Sequence, residues 1–159
     1  MKGLLTSLIT VLTFTGLQAQ SLPTAPKLVV GLTIDQLRTD YMEAFSSLFG
    51  AGGFNKVMRD GRSYMDAAYP FSHIDRASAV ACIMTGTVPY DNGIVGEHWM
   101  DRKTLRPMYC VDDATCEGWL TSEKYSPVAL NVSTVTDELK MATGGRALVY
   151  SIAPDADAA

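Results

Sequence analysis

The sequence predicts an α/β fold: a mostly parallel sheet with helices on both faces, incomplete at its carboxyl end. Residues 28–34 and 146–152 are short, almost wholly apolar runs, which is typical of strands covered on both faces. Between them lie segments with apolar residues at helical spacing. The chain has 159 residues, 47% of them hydrophobic, enough for one globular core. Strands that alternate with helices favour a parallel sheet.

Turn and cap residues divide the chain into elements in this order. The strand at 28–34 ends at Asp35, and "QLRTDYMEAFSSLF" after it has helical spacing. "FNKVMRDG" predicts a short helix that ends at Gly61, and "RSYMDAAYP" a strand. "DRASAVACIMTG" predicts a helix with Asp75 as N-cap and Gly86 at its end. After a loop-rich stretch, 87–127, "STVTDELKMATGG" predicts a helix capped by Ser133 or Thr134.

Both chain ends carry information. Residues 1–19 contain one Lys, an apolar stretch and a small residue at Ala19, which predicts a secretory signal peptide. This stretch falls short of the roughly 20 apolar residues that a membrane span needs. At the other end, "SIAPDADAA" stops just past a strand and leaves sheet edges uncovered. We therefore expect residues 20–159 to be the amino-terminal part of a larger, exported domain.

Charge and cysteine content narrow the classes of partner. The formal net charge of −4 gives no electrostatic reason to expect binding to nucleic acid. In an oxidising compartment Cys110 and Cys116 either form a disulfide or remain two separate thiols. Cys82 lies in an apolar helical run, as a small core residue would.

Three segments carry a resemblance to a known family. "VVGLTIDQLRTDYM", "YPFSHIDRASAVACIMTGTVPYDNGIVGEHWMD" and "ALVYSIAPDADAA" resemble the start of the alkaline phosphatase superfamily. The most similar branch is the type I phosphodiesterase/nucleotide pyrophosphatase group with its bacterial phosphate-irrepressible alkaline phosphatase relatives. The resemblance implies two zinc ions that flank a Thr or Ser nucleophile.

Asp35 is the candidate metal ligand. In open α/β sheets, ligands bind outside the carboxyl ends of strands, where Asp35 lies. The resemblance makes it the first zinc ligand of the family, and carboxylates suit such a site. The alternative is that Asp35 caps the helix that follows the strand.

The position of the nucleophile departs from the family pattern. The family places it nine residues before the Thr of the Thr-Gly pair, which here gives Arg76, a residue that cannot accept a phosphoryl group. Ser78, in the first helical turn, is the candidate nucleophile, because the positive end of the helix favours phosphate there. The alternative is an ordinary small polar residue, since no base is evident beside it.

The residue at the family's phosphate-binding position also differs from the family pattern. Where the family has an Asn that donates to phosphate, "GIVGEHW" has Glu97, which repels a phosphate dianion unless it is protonated or metal-bound. Glu97 and His98 are two potential metal ligands, but a solvated loop pair is the simpler interpretation. His73 is more readily explained as structural.

Two classes of function remain open on these residues. The first is a secreted zinc-dependent phosphoric-ester hydrolase acting on small phosphorylated molecules such as nucleotides. The second is a non-catalytic binding or scaffolding domain with the same fold, favoured by Arg76 and Glu97. A sulfatase is a third class, but Cys82 lies too late in its helix to serve as the modifiable cysteine of that group.

Overall fold

The structure is a computed structural model that describes residues 25–159. The predicted signal peptide, residues 1–19, lies outside the described residues. Within residues 25–159, none of the helices has the length and apolar character needed to cross a membrane.

Helices form most of the regular structure, and their ends follow the predicted caps. The helix after Asp35 is shorter than predicted, because it begins after Arg38 and gives way to a 3-10 turn. The other three predicted helices are present, and a short helix beginning at Pro89 adds to them. The helices are α1 (Thr39–Ala44), α2 (Gly53–Asp60), α3 (Arg76–Thr85), α4 (Pro89–Asn92) and α5 (Val135–Ala142), with 3-10 turns at Ser46–Leu48 and Ala156–Ala158.

Helix α3 has the best-defined ends. Asp75 is its N-cap, and the Asp75 carboxylate accepts a hydrogen bond from the Ser78 amide at 2.9 Å. Gly86 ends the helix in the left-handed conformation, with φ of 69°, which glycine adopts without steric cost. Helix α5 begins in the same way, with Thr134 rather than Ser133 as its cap. Both starts were predictable because the cap residue acts within one helical turn.

One antiparallel hairpin lies inside the stretch predicted to be loop-rich. Strand β1 (His98–Met100) pairs with β2 (Pro107–Tyr109), and Trp99 lies opposite Met108. Each strand has only three residues, too few for an alternating pattern to be recognised in the sequence.

The buried centre lies where α3 meets the hairpin and the loop after it. Ala77, Ile94 and Cys110 are buried there, and Ala81 and Trp99 are among the half-buried residues that pack against them. Helix α3 contacts α4, α5 and the terminal 3-10 turn. The amino end of α3 is therefore held firmly.

The parallel pairing expected of residues 28–34 and 146–152 is not formed among the described residues. Both segments lack ladder hydrogen bonds, and their side chains are exposed, 79% for Leu28 and 97% for Ile152. Residues 26–29 and 146–148 nevertheless line one cleft beside α5. An apolar strand of this kind needs neighbours on both edges and layers over both faces, which residues 25–159 do not supply. Residues 62–70 also form no strand.

Gly93 is the glycine whose replacement we expect to harm the fold most. Its φ is 88°, and a Cβ there would lie 2.5 Å from Asn131 Nδ2 and 2.6 Å from the Ala129 carbonyl oxygen. Gly86 has a similar φ but open space around it. Gly86→Ala should cost about 1 kcal/mol through backbone strain, and Gly93→Ala about 2 kcal/mol more through the clash. Thermal unfolding followed by circular dichroism measures both, and equal losses would contradict the clash.

Candidate functional site

The amino end of α3 brings three of the sequence-predicted site residues together. Arg76 and Ser78 lie in its first turn, and the Glu97 amide donates to Asp75 Oδ2 at 2.6 Å. Asp75 thus ties the loop before β1 to the start of the helix. A Cβ on Gly96 would lie 3.0 Å from the same carboxylate oxygen, so the loop can approach closely because residue 96 has no side chain.

Ser78 is completely buried, and its hydroxyl is occupied by the cap. Ser78 Oγ donates to Asp75 Oδ1 at 2.8 Å and accepts from the Asp75 amide at 3.1 Å. The sequence showed no base near Ser78, whereas the structure places a carboxylate at hydrogen-bonding distance. Burial opposes ionisation of Asp75, but its hydrogen bonds from Ser78 and Glu97 prevail, so its pKa is lowered. A carboxylate with a lowered pKa is a weak proton acceptor, and the contact serves mainly as a cap.

Arg76 is held by two carboxylates from the end of the chain. Its Nε donates to Asp157 Oδ2 and its Nη2 to Asp157 Oδ1, both at 2.7 Å, in a two-bonded fork. Its Nη1 lies 2.8 Å from Asp155 Oδ2. The hydrogen bonds to Asp157 are the main reason that the pKa of Arg76 is raised, although burial opposes the rise. No local sequence signal predicts this pairing, since its members lie 81 residues apart.

Asp157 is the most constrained carboxylate of the site. Its side chain has no exposed surface, and Tyr109 Oη donates to Asp157 Oδ1 at 2.9 Å. The bonds from Arg76 lower the pKa of Asp157 despite its burial. Burial first, and then the bond to Asp157, raise the pKa of Tyr109 to about 12. This part of the site is therefore one connected polar network.

Glu97 and His98 form an exposed pair at the edge of the site. Glu97 Oε1 lies 3.5 Å from His98 Nδ1, and the His98 ring stacks on Tyr109 with 4.8 Å between ring centres. Within the described part of the chain there is no group of three or more His, Cys, Asp or Glu residues that could hold a metal ion. The metal-ligand and solvated-loop interpretations of this pair both stay open. His73 is exposed, with a left-handed φ of 59°.

Asp35 lies in an exposed turn. The cap alternative for Asp35 is wrong, because the N-cap of α1 is Arg38. Gln36 has a positive φ of 57°, an unusual conformation for a residue with a long side chain. Burial first, and then the charges of Cys82 and Asp35, raise the pKa of Tyr69.

Residues 25–159 alone do not complete a zinc site. A structural or catalytic zinc ion takes at least three protein ligands, and the described residues place one exposed carboxylate, Asp35, where the family pattern calls for a ligand.

The cysteines are separate thiols in the structure. Burial, aided by the charge of Asp157, raises the pKa of Cys110 to about 11. Cys116 Sγ donates to Asp113 Oδ2 at 3.2 Å. The described loop between them is held by the Asp113 carboxylate, which also accepts from Ser126 Oγ at 2.6 Å.

The chain is similar to phosphatases of known sequence and structure. It is 42% identical over 130 residues to alkaline phosphatase PhoV of Synechococcus elongatus, covering 80% of this chain and 24% of that protein. It is 34% identical over 141 residues to alkaline phosphatase PafA of Elizabethkingia meningoseptica, covering 86% of this chain and 26% of PafA. The crystal structure of wild-type PafA matches 87% of this chain and 27% of its own chain, with a TM-score of 0.78 and 33% identity.

These matches confirm the predicted fold class and the predicted family. The PafA structure gives an alkaline phosphatase-like α/β fold, of which this chain corresponds to one part. The chain spans about a quarter of the length of the relatives that it matches. The sequence profile described as "Type I phosphodiesterase / nucleotide pyrophosphatase" matches residues 29–155, which is most of the chain. The chain belongs to the type I phosphodiesterase/nucleotide pyrophosphatase family.

Proposed function

We propose that the full-length protein is a secreted, zinc-dependent phosphoric-ester hydrolase that acts on small phosphorylated molecules such as nucleotides. What supports this proposal is the similarity of the chain to alkaline phosphatases over most of its length, together with the position of Arg76 and Ser78 in the first turn of α3. The positive end of a helix and an arginine both favour a phosphate group.

Asp35 would supply one ligand of a zinc site completed by residues outside the described range. Two ions are proposed, as the family resemblance implies. When bound, such a metal pair stabilises the attacking and leaving oxygens of a phosphoryl transfer. The role of this chain is to hold Asp35 and α3 at one edge of the site.

Ser78 is the proposed nucleophile, and this role requires its hydroxyl to leave the hydrogen bond with Asp75 at the start of α3. Its hydroxyl would have to turn away from Asp75 and reach the surface, which costs roughly the value of a helix cap, about 1 kcal/mol. Arg76 would orient the phosphate, and Glu97 would border it. Secretion follows from the signal sequence predicted over residues 1–19, with residues 20–159 as the amino-terminal part of the catalytic domain.

The second candidate function is a non-catalytic binding or scaffolding domain. Two contacts favour it: Arg76 is engaged by Asp155 and Asp157, and the hydroxyl of Ser78 is buried in the cap. A site in this condition binds no substrate without rearrangement.

Hydrolysis by the full-length protein tests the choice between the two functions. We expect release of p-nitrophenol from p-nitrophenyl phosphate or its bis ester in the presence of zinc, and loss of this activity after chelation. Ser78→Ala should lower kcat by roughly a thousandfold or more if Ser78 is the nucleophile. Ser72→Ala, at an exposed serine just before α3, is the matched control.

The outcomes separate the two functions and the role of Ser78. Zinc-loaded protein that hydrolyses neither ester would overturn the hydrolase proposal in favour of a non-catalytic domain. Turnover that survives Ser78→Ala would support the hydrolase and show that Ser78 is not its nucleophile.

A further inference from the structure

The last residues of the chain close over the amino end of α3. We call residues 154–159 the acidic strap. Asp157 occupies Nε and Nη2 of Arg76, and Asp155 lies against Nη1, so all three guanidinium nitrogens are engaged. The strap therefore occupies all three of the guanidinium nitrogens through which Arg76 could bind another anion.

A second anchor fixes the strap to the hairpin. Tyr109 Oη donates to Asp157 Oδ1 at 2.9 Å and accepts from the Asp157 amide at 3.2 Å. The Asp157 side chain is fully buried, whereas Asp155 is about half exposed. Asp157 is thus the fixed member of the strap, and Asp155 is an outer member in contact with solvent.

The geometry of the Arg76–Asp157 contact is also that of phosphate recognition. A guanidinium binds carboxylate and phosphate oxygens through the same pair of parallel hydrogen bonds. We propose that Asp157 is an internal substitute for phosphate on Arg76, and that the acidic strap keeps this anion site closed until the strap is displaced. This inference rests on the proposed function, in which Arg76 orients the phosphate of the substrate.

A free phosphate ion competes poorly with the strap. A tethered group acts at an effective concentration in the millimolar range or above. Asp155 and Glu97 add negative charge near Arg76, which repels a dianion. Wild-type protein should therefore bind orthophosphate weakly, and neutralising both strap carboxylates should strengthen binding.

Calorimetric titration of the full-length protein with orthophosphate tests the strap. The double variant Asp155→Asn/Asp157→Asn should bind orthophosphate at least about tenfold more tightly than wild type. Adding Arg76→Ala to that variant should abolish the gain. Asp40→Asn is the matched control, because Asp40 accepts from Arg38 at 3.0 and 2.6 Å on the surface, away from the strap. It should leave phosphate affinity unchanged.

Either of two results would overturn the proposal that the acidic strap closes the anion site on Arg76. The first is a folded double variant with the phosphate affinity of wild type, and the second is a gain in affinity that survives Arg76→Ala. If the double variant does not fold, Tyr109→Phe provides the same test, since it removes both hydrogen bonds between the Tyr109 hydroxyl and Asp157 and no charge. It should produce a smaller gain, and a folded Tyr109→Phe protein with unchanged affinity contradicts the proposal.

The readout separates the strap from the hydrolase. Phosphate binding gained in the double variant of a protein that hydrolyses no ester would refute the hydrolase and support the strap. Ester hydrolysis by wild type, with phosphate affinity unaffected by the strap variants, would support the hydrolase and refute the strap.

Discussion

Replacing Asp35 with alanine in the full-length protein is expected to lower bound zinc and ester hydrolysis together. A carboxylate that ligates the metal contributes several kcal/mol to stabilising the charge of the transition state. Since each 1.36 kcal/mol is a factor of ten in rate, kcat/KM should fall at least about a hundredfold. Zinc content measured by elemental analysis and turnover measured on the same sample test the two effects.

Asp40→Ala is the control for Asp35. Asp40 is also an exposed aspartate in α1, shortly after Asp35, and among residues 25–159 its carboxylate accepts only from Arg38. This variant should keep both zinc and turnover. If Asp35→Ala also keeps both, Asp35 is not a ligand, and its position after an apolar segment has another explanation.

Arg76→Ala is expected to destabilise the fold more than any other single loss of charge described here. It leaves the buried carboxylate of Asp157 with Tyr109 as its one side-chain partner among the described residues. An uncompensated buried charge of this kind costs about 3 kcal/mol. Urea unfolding of the two proteins at neutral pH measures the difference. Arg38→Ala, which breaks an exposed pair, should cost about 1 kcal/mol or less.

The effect of Arg76→Ala should depend on pH in a defined direction. The folded pKa of Asp157 is lowered, so its stabilising contribution is fully present above the unfolded value of about 3.9. That contribution is lost as the pH falls through the folded pKa. The stability difference between wild type and Arg76→Ala should therefore shrink below pH about 4. A difference that stays constant down to pH about 2 would show that lost packing, and not the ion pair, is responsible.

Helices were predictable from local sequence, and the strand pairing was not. Asp75 and Gly86 define α3 through contacts within a few residues, and these signals are complete in the sequence. The apolar runs at 28–34 and 146–152 have strand composition, but pairing depends on neighbours that composition does not specify. In the described residues the starts of these runs line one cleft, but the runs form no ladder.

The candidate site shows the same division between local and distant contacts. The sequence identified Asp75 as a cap and showed that Arg76 departs from the family pattern. The sequence left two roles open for Ser78, and the structure adds that its hydroxyl bonds to Asp75. No sequence signal connected Arg76 to Asp157, because the fold alone brings the start of α3 to the strap. The role of Asp35 as a ligand remains a prediction.

Anomalous diffraction at the zinc edge, from crystals of the full-length protein, tests the central claim most directly. The account predicts a zinc peak about 2 Å from a carboxylate oxygen of Asp35, facing the amino end of α3. Zinc bound elsewhere, with no peak at Asp35, would contradict it.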